Sequence, residues 1–210
     1  MFIQRFKNHL KGGGARPNQF RVELVFPDKI RNILQVSARD VEQITFLCHS
    51  ASLPASTVED TAVYYRGRQL HFAGERSFAP WTVSVYVDTD FITRTAFEVW
   101  SQMVMHYART EGTTAPADYQ THLRVFQIDR DGRVLKSYKF FNAYPTSIGN
   151  IQLSYDTNNS IETFDVDFTY DWFTPSIYTV SNNVVVNKMT PDSDGKGGSD
   201  QRSNIFDSDI

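Results

Sequence analysis

The side chains able to carry chemistry are few and scattered. Five histidines stand at His9, His49, His71, His106 and His122. None makes the H-x-H or H-E-x-x-H pair that sets two imidazoles on one metal. His49 adjoins the lone cysteine, Cys48, but neighbours on a strand point to opposite faces and make a poor ligand pair. Asp129-Arg130-Asp131-Gly132 opens like a calcium loop and then lacks the later ligands and the distal glutamate, so it reads as a turn. Gly195-Lys196-Gly197-Gly198 has no G-x-x-x-x frame before it, and no G-x-S-x-G elbow occurs. Asp88/Asp90 and Asp165/Asp167 are of the type used in acid–base hydrolysis of glycosides. That work needs two carboxyl groups about 5–10 Å apart across a bond, and sequence spacing does not supply it. The chain therefore presents no catalytic set, no cofactor motif and no metal-ligand set.

The informative carboxylates lie in a strand expected over 161–172. Phe164, Val166, Phe168, Tyr170 and Trp172 share one face, and Asp165, Asp167, Thr169 and Asp171 share the other. Such a strand buries the first face and wets the second. The acidic face of Asp165, Asp167 and Asp171 is either an ordinary solvated surface or the wall of a water-filled channel. A conduit for nucleic acid avoids the cations that hold phosphates and presents carboxylates instead.

Composition limits the rest. The chain has 210 residues, 14% of them aromatic and 21% charged, with net charge −3. That combination excludes wholesale disorder. A single cysteine excludes a disulfide scaffold and fits a reducing compartment. No apolar run approaches the ~18 residues of a membrane-spanning helix, and the start reads as no secretion signal. Residues 1–16 carry Arg5, Lys7, Lys11 and Arg16 with no acid, whereas 17–173 holds 14 basic and 19 acidic residues. A broad basic face for nucleic acid is absent.

Residues 2–10 put Phe2, Ile3, Phe6 and Leu10 near one helical face, and Gly12-Gly13-Gly14 follow as a hinge. Strands are expected at 20–26, at a short run through Ile44, Phe46 and Cys48, at 57–65 and 68–78, and at 81–87. Tyr65-Arg66-Gly67-Arg68 forms a hairpin tip between the two middle runs. Further strands are expected at 122–128, 134–141, 150–155 and 161–172, with turns at 129–132 and 156–159. One helix over 91–107, capped by Thr89 or Asp90, places Ile92, Ala96, Val99, Trp100, Met103 and Tyr107 on its core face. The domain reading is an arm and hinge at 1–14, a β domain at 15–173 and a C-terminal extension at 174–210. In that extension Ile177 to Val186 is β-prone, and 190–210 reads as a mobile tail with Ile205-Phe206 as a small anchor. The fold class is mainly β, an antiparallel barrel or sandwich with one flanking helix.

Four stretches, in this order, resemble the tail tube proteins of contractile-tailed bacteriophages: ARPNQFRVEL at 15–24, Cys48 with ASLPA at 51–55, Gly67-Arg68 with AGERSFAPWTV at 73–83, and FNAYPTSIG at 141–149 running on to IETFDV at 161–166. The resemblance implies a structural virion protein, made and assembled in the host cytoplasm, with no enzymatic activity and no cofactor. It implies hexameric rings stacked into a tube, with strands of every subunit joined in one inner barrel. The Tyr65–Arg68 tip would then reach a neighbouring subunit or ring, and Arg66 and Arg68 would meet acidic groups there. Implied partners are further copies of the chain, the tail sheath protein, a tape-measure protein, and baseplate and tail-terminator proteins, with genomic DNA passing unbound. A baseplate tube-initiator or the tube of a phage-derived injection system has the same pattern. A carboxylate-pair hydrolase and a DNA-binding barrel are the rivals from other classes. The loop 28–43 and the segment after Trp172 exceed the family pattern.

Overall fold

The computed structural model describes residues 2–10, 14–35, 38–109, 111–156, 158–176, 178–181 and 184–187. The chain forms two compact units, 1–176 and 177–210. The first begins with helix α1 (Phe2–His9) and strand β1 (Phe20–Glu23), then α2 (Asp28–Leu34), α3 (Ala38–Phe46) and β2 (Cys48–Ala51). A hairpin of β3 (Ser56–Tyr65) and β4 (Arg68–Phe78) follows, then β5 (Trp81–Tyr86) and α4 (Ile92–Val104). After a 3-10 turn at Pro116–Asp118 come β6 (Thr121–Ile128), β7 (Val134–Ile148), β8 (Thr163–Thr169) and β9 (Trp172–Pro175). In the second unit β10 (Tyr178–Ser181) pairs antiparallel with β11 (Val184–Asn187). The expectations for 190–210, Ile205-Phe206 and Gly12-Gly13 fall outside the described residues.

Seven strands make one antiparallel sheet in the order β1-β6-β7-β8-β5-β2, with β9 on β7. The sheet is folded along β7. The first part of β7 pairs with β6 (Leu123↔Phe140) and β9 (Phe141↔Trp172), and the last part pairs with β8 (Tyr144↔Thr169). At the change of partner Asn142 takes φ 57°, and a register shift follows at Pro145. A left-handed residue and a proline without an N–H are how a strand turns a corner between sheets. The two halves then face each other, so that Trp81 of β5 stacks on Phe140 of β7 at 4.3 Å between ring centres. The strand expected at 134–141 thus runs on through Asn142 and Pro145 to Ile148. The run expected at 150–155 is irregular chain between β7 and β8, and the turn expected at 156–159 joins no strand pair.

Alternation decides what is buried. In β5 Trp81, Val83 and Val85 point inward, and in β8 Phe164, Val166 and Phe168 do the same. Leu123, Val125 and Phe140 answer from the other half. Helix α4 closes the end of this core with Thr93, Ala96, Phe97 and Trp100 buried. Of the expected face, Ala96 and Trp100 are buried and Val99 and Met103 pack half-buried against the core. Ile92 is 37% exposed instead, and Tyr107 lies beyond the helix end, also exposed. The buried stripe runs 93-96-97-100, one position off the expected phase. Neither Thr89 nor Asp90 caps the helix; Phe91 at φ 54° begins it with no side-chain cap.

The segment expected as a long loop at 28–43 folds as α2 and α3. Val41, Ile44, Leu47 and Cys48 are spaced three and four apart and pack on the core, while Phe46 is 76% exposed. A strand through 44, 46 and 48 would have buried Phe46 with the others, so helical phase wins there. The body also runs on to Ser176, because β9 is hydrogen-bonded to β7.

Phe97 is fully buried, with Phe26, Phe164 and Phe168 rings 5.5–6.0 Å away. Phe97→Ala should cost about 3–5 kcal/mol in urea unfolding of the monomer with the slope unchanged. Burial also pushes the Cys48 thiol from 9.0 up to about 12. Below about pH 9 the thiol is protonated in both folded and unfolded chains. Between 9 and about 12 only the unfolded chain ionises, so folding stability falls across that window. Urea midpoints of the wild type and Cys48→Ala at about pH 8 and about pH 10.5 check this, with the smaller alkaline loss expected in the variant.

Candidate functional site: an acidic sheet face and a projecting hairpin

The outward face of β2, β5, β8 and the end of β7 is built by the alternation that fills the core. Each inward apolar residue forces its neighbours outward. Pairing then sets Thr82 opposite Asp167 and Ser84 opposite Asp165. Thr82 Oγ1 donates to Asp167 Oδ1 at 2.6 Å, and Ser84 Oγ donates to Asp165 Oδ1. Thr146 Oγ1 donates to the Asp167 carbonyl at 3.1 Å and accepts from Thr169 Oγ1 at 3.4 Å. At the β2 edge the His49 ring lies on Tyr86, 4.6 Å between centres. These four strand segments contain no lysine or arginine.

The fold brings Asp165 and Asp167 onto this one face, two residues apart on a flat strand. Asp171 does not join them. It sits past the end of β8, where Asn142 Nδ2 donates to its Oδ2 at 2.6 Å and its own N–H bonds the Phe141 carbonyl. The expected strand breaks there: Trp172 belongs to β9, stacks on Phe141 at 5.2 Å and is 43% exposed. Asp171 therefore braces the corner of β7. Asp165 is exposed and Asp167 half-buried on this face. The hydroxyls of this face were legible as alternating residues of β5. Their pairing with the carboxylates was not, because register between distant strands is invisible in one sequence.

The β3–β4 hairpin is the second feature. Arg66 and Gly67 form its two-residue turn with φ 47° and 82°. Two positive φ values match the twist of the flanking strands, and glycine takes the second without cost. Lower down, a register shift between Val58 and Asp60 sets Gly74 so close that a Cβ there would meet the Glu59 carbonyl oxygen at 2.9 Å. Beyond that bulge the arm is amphipathic. Cross-strand partners Thr61↔Phe72, Val63↔Leu70 and Tyr65↔Arg68 share one face, and Ala62↔His71 and Tyr64↔Gln69 share the other. Val63, Tyr65, Leu70 and Phe72 are 45–61% exposed. His71 Nδ1 lies 2.5 Å from Asp60 Oδ2, and the Arg66 guanidinium stands over the Tyr65 ring. Its base is anchored where Phe78 packs against Tyr170 and Phe173 at 5.5–5.9 Å.

No described helix is long and apolar enough to cross a membrane. A model of the phage tail tube protein family matches residues 15–176. The tail tube protein gp19 of Enterobacteria phage T4 is 31% identical over 175 residues, covering 82% of this chain and 99% of that one. The tail tube protein of Serratia phage KSP90 is 23% identical, covering 80% and 93%. Among solved structures, the cryo-EM structure of the tube-terminating cap of the anti-feeding prophage aligns with TM-score 0.54 at 18% identity, covering 77% of this chain and 89% of that one. The sheath–tube complex of an extracellular contractile injection system aligns with TM-score 0.52 at 13% identity, covering 77% and 90%. These two share the fold. With the family matched across the whole β body, the chain belongs to the phage tail tube proteins, and its role is structural, in the inner tube of a contractile tail.

Proposed function

We propose that six copies close into a ring through their sheets, that rings stack into a hollow rod, and that the face carrying Asp165 and Asp167 lines the lumen. One observation carries this reading. The four-strand half-sheet β7-β8-β5-β2 has a polar outer face without a cation and two open edges, β2 on one side and Tyr144–Ile148 of β7 on the other. Open edges are aggregation hazards unless they are paired. Pairing the β2 edge of one copy with the β7 edge of the next removes both at once and closes the sheet on itself.

The chemistry of the face suits passage. DNA is held chiefly by cations that neutralise phosphates, and a wall of hydroxyls and carboxylates offers none. The work is mechanical, with no reaction catalysed: the tube is the rigid conduit through which the genome leaves. Its partners in this reading are other copies, the tail sheath protein outside, a tape-measure protein in the lumen, and baseplate and terminator proteins at the two ends. The projecting hairpin is an assembly element. A two-stranded ribbon with an exposed apolar face is marginal alone and gains stability when a neighbour covers that face.

Asp165→Lys with Asp167→Lys should leave tubes intact under the electron microscope and slow genome ejection; unchanged ejection kinetics in such particles would refute the lumen assignment. Val63→Ser with Phe72→Ser should leave the monomer's melting temperature within a few degrees, since both positions are exposed, and abolish rods in negative stain. Rings that form without stacking, in the wild type as well, would point to a single-ring role at the baseplate.

A further inference from the structure

A groove on the body has a shape, charge and lining that nothing above uses. After β7 the chain runs out through Asn150–Tyr155 and returns through Ser160–Thr163 into β8, and a cleft of about 590 Å³ opens between the two limbs. Its base is fixed. Gly149 N–H donates to the Asp165 carbonyl at 2.6 Å, Val87 N–H donates to the Glu162 carbonyl at 2.9 Å, and Ile151 packs on the core. Its rim is bare: Leu153 is 79% exposed, Ile161 68%, and Tyr155 fully so. The segment 149–163 contains two acids, Asp156 and Glu162, and no lysine or arginine. Neither acid has an ion-pair partner among the described residues. A fixed base, an exposed apolar rim and Glu162 in the lining, with Asp156 next in sequence to the lining residue Tyr155, give the cleft the character of a docking surface.

The hairpin described above has the matching properties. Its distal face offers Tyr65 and Leu70, and its tip offers Arg66 and Arg68. Two cations beside an aromatic face meet two unpaired carboxylates beside an aliphatic rim. We propose that the hairpin tip of one copy seats in the 150–163 groove of a neighbouring copy, with Tyr65 and Leu70 against Leu153 and Ile161, and Arg66 and Arg68 facing Asp156 and Glu162. Knob and hole lie on different parts of one chain, so the contact, repeated in one direction as the ring reading requires, is heterologous and propagates into rings or filaments. This rests on the assembly reading above and adds to it the receptor for the hairpin.

Cross-linking tests it on the full chain. In a Cys48→Ser background, Tyr65→Cys and Leu153→Cys are introduced together, assembly is followed by electron microscopy, and a short bismaleimide is added. The expected result is a ladder of covalent multimers in the double variant, with each single variant stopping at dimers. Intact tubes that give no ladder overturn the groove assignment and leave the assembly reading standing. A chain that forms no tubes under any condition, wild type included, overturns the assembly reading itself. A second arm uses charge. Glu162→Lys should raise the concentration needed for assembly about fivefold, the scale of one ion pair of about 1 kcal/mol. Adding Arg68→Glu should recover most of that loss. Equal loss from the two substitutions, with no recovery in the pair, means the hairpin docks elsewhere.

Discussion

The fold depends on the corner in β7. One strand belongs to both halves of the sheet, and at Asn142 it leaves one set of partners for another. Without that bend the seven strands would form one open sheet with an apolar face and nothing to cover it. With it, Phe140 is carried over the indole of Trp81, and Leu123 and Val125 join Val83 and Val166 in one buried cluster. Packing of this kind is close-fitting and tolerates little change in volume. The corner is held from outside by Asp171, which accepts from the Asn142 amide and donates its own N–H to Phe141. An acid expected among the lumen carboxylates therefore serves the hinge that makes the acidic face possible.

From that corner the division of surfaces follows. Every apolar residue turned toward the core places a neighbour on the outside, so the same alternation that packs Phe164, Val166 and Phe168 displays Asp165 and Asp167. The acids are then tied to Ser84 and Thr82 of the adjacent strand. A hydroxyl donated to a carboxylate uses up a lone pair and holds the side chain along the sheet. It does not cancel the charge. The face stays smooth and negative, which suits a wall past which a polyanion slides. The thiol of Cys48 shows the opposite treatment on the same half-sheet. Packed against the core and only partly exposed, it has its pKa pushed up to about 12 by burial.

Much of this was legible in the chain because period and turn chemistry are local. The alternation in 81–87 and 163–168 marked both strands and their buried faces. Arg66-Gly67 marked the hairpin, since few residues accept two positive φ values. What escaped reading was set by contacts between distant segments. Phe46 looked like a strand residue until Ile44 and Cys48 were seen to take the inner face with Val41 at helical spacing. Asn142 and Pro145 look like the end of a strand, and only the exchange of partners, β6 for β8, shows a strand that continues through them. In α4 the core side includes Phe97, which the expected face omitted, because Phe97 meets four aromatic rings, whereas Ile92 at the first turn is exposed. The acidic face was readable as an alternation. Its hydroxyl partners required register.

A monomer built this way is unfinished in a specific sense. The hairpin exposes a row of apolar side chains, the half-sheet β7-β8-β5-β2 has open edges at β2 and at Tyr144–Ile148, and the 150–163 limbs leave Leu153, Tyr155 and Ile161 exposed. In the proposed assembly each of these features is covered by a copy of the chain. Because the unpartnered features lie at different places, a contact repeated from one copy to the next in one direction can cover them all. Such contacts close on themselves or extend without limit, and a tube needs both, closure around the ring and extension along the axis. The interfaces are therefore already implied by what the monomer leaves uncovered. In a rod built this way every added copy repeats the same burial, so the stabilisation grows with length.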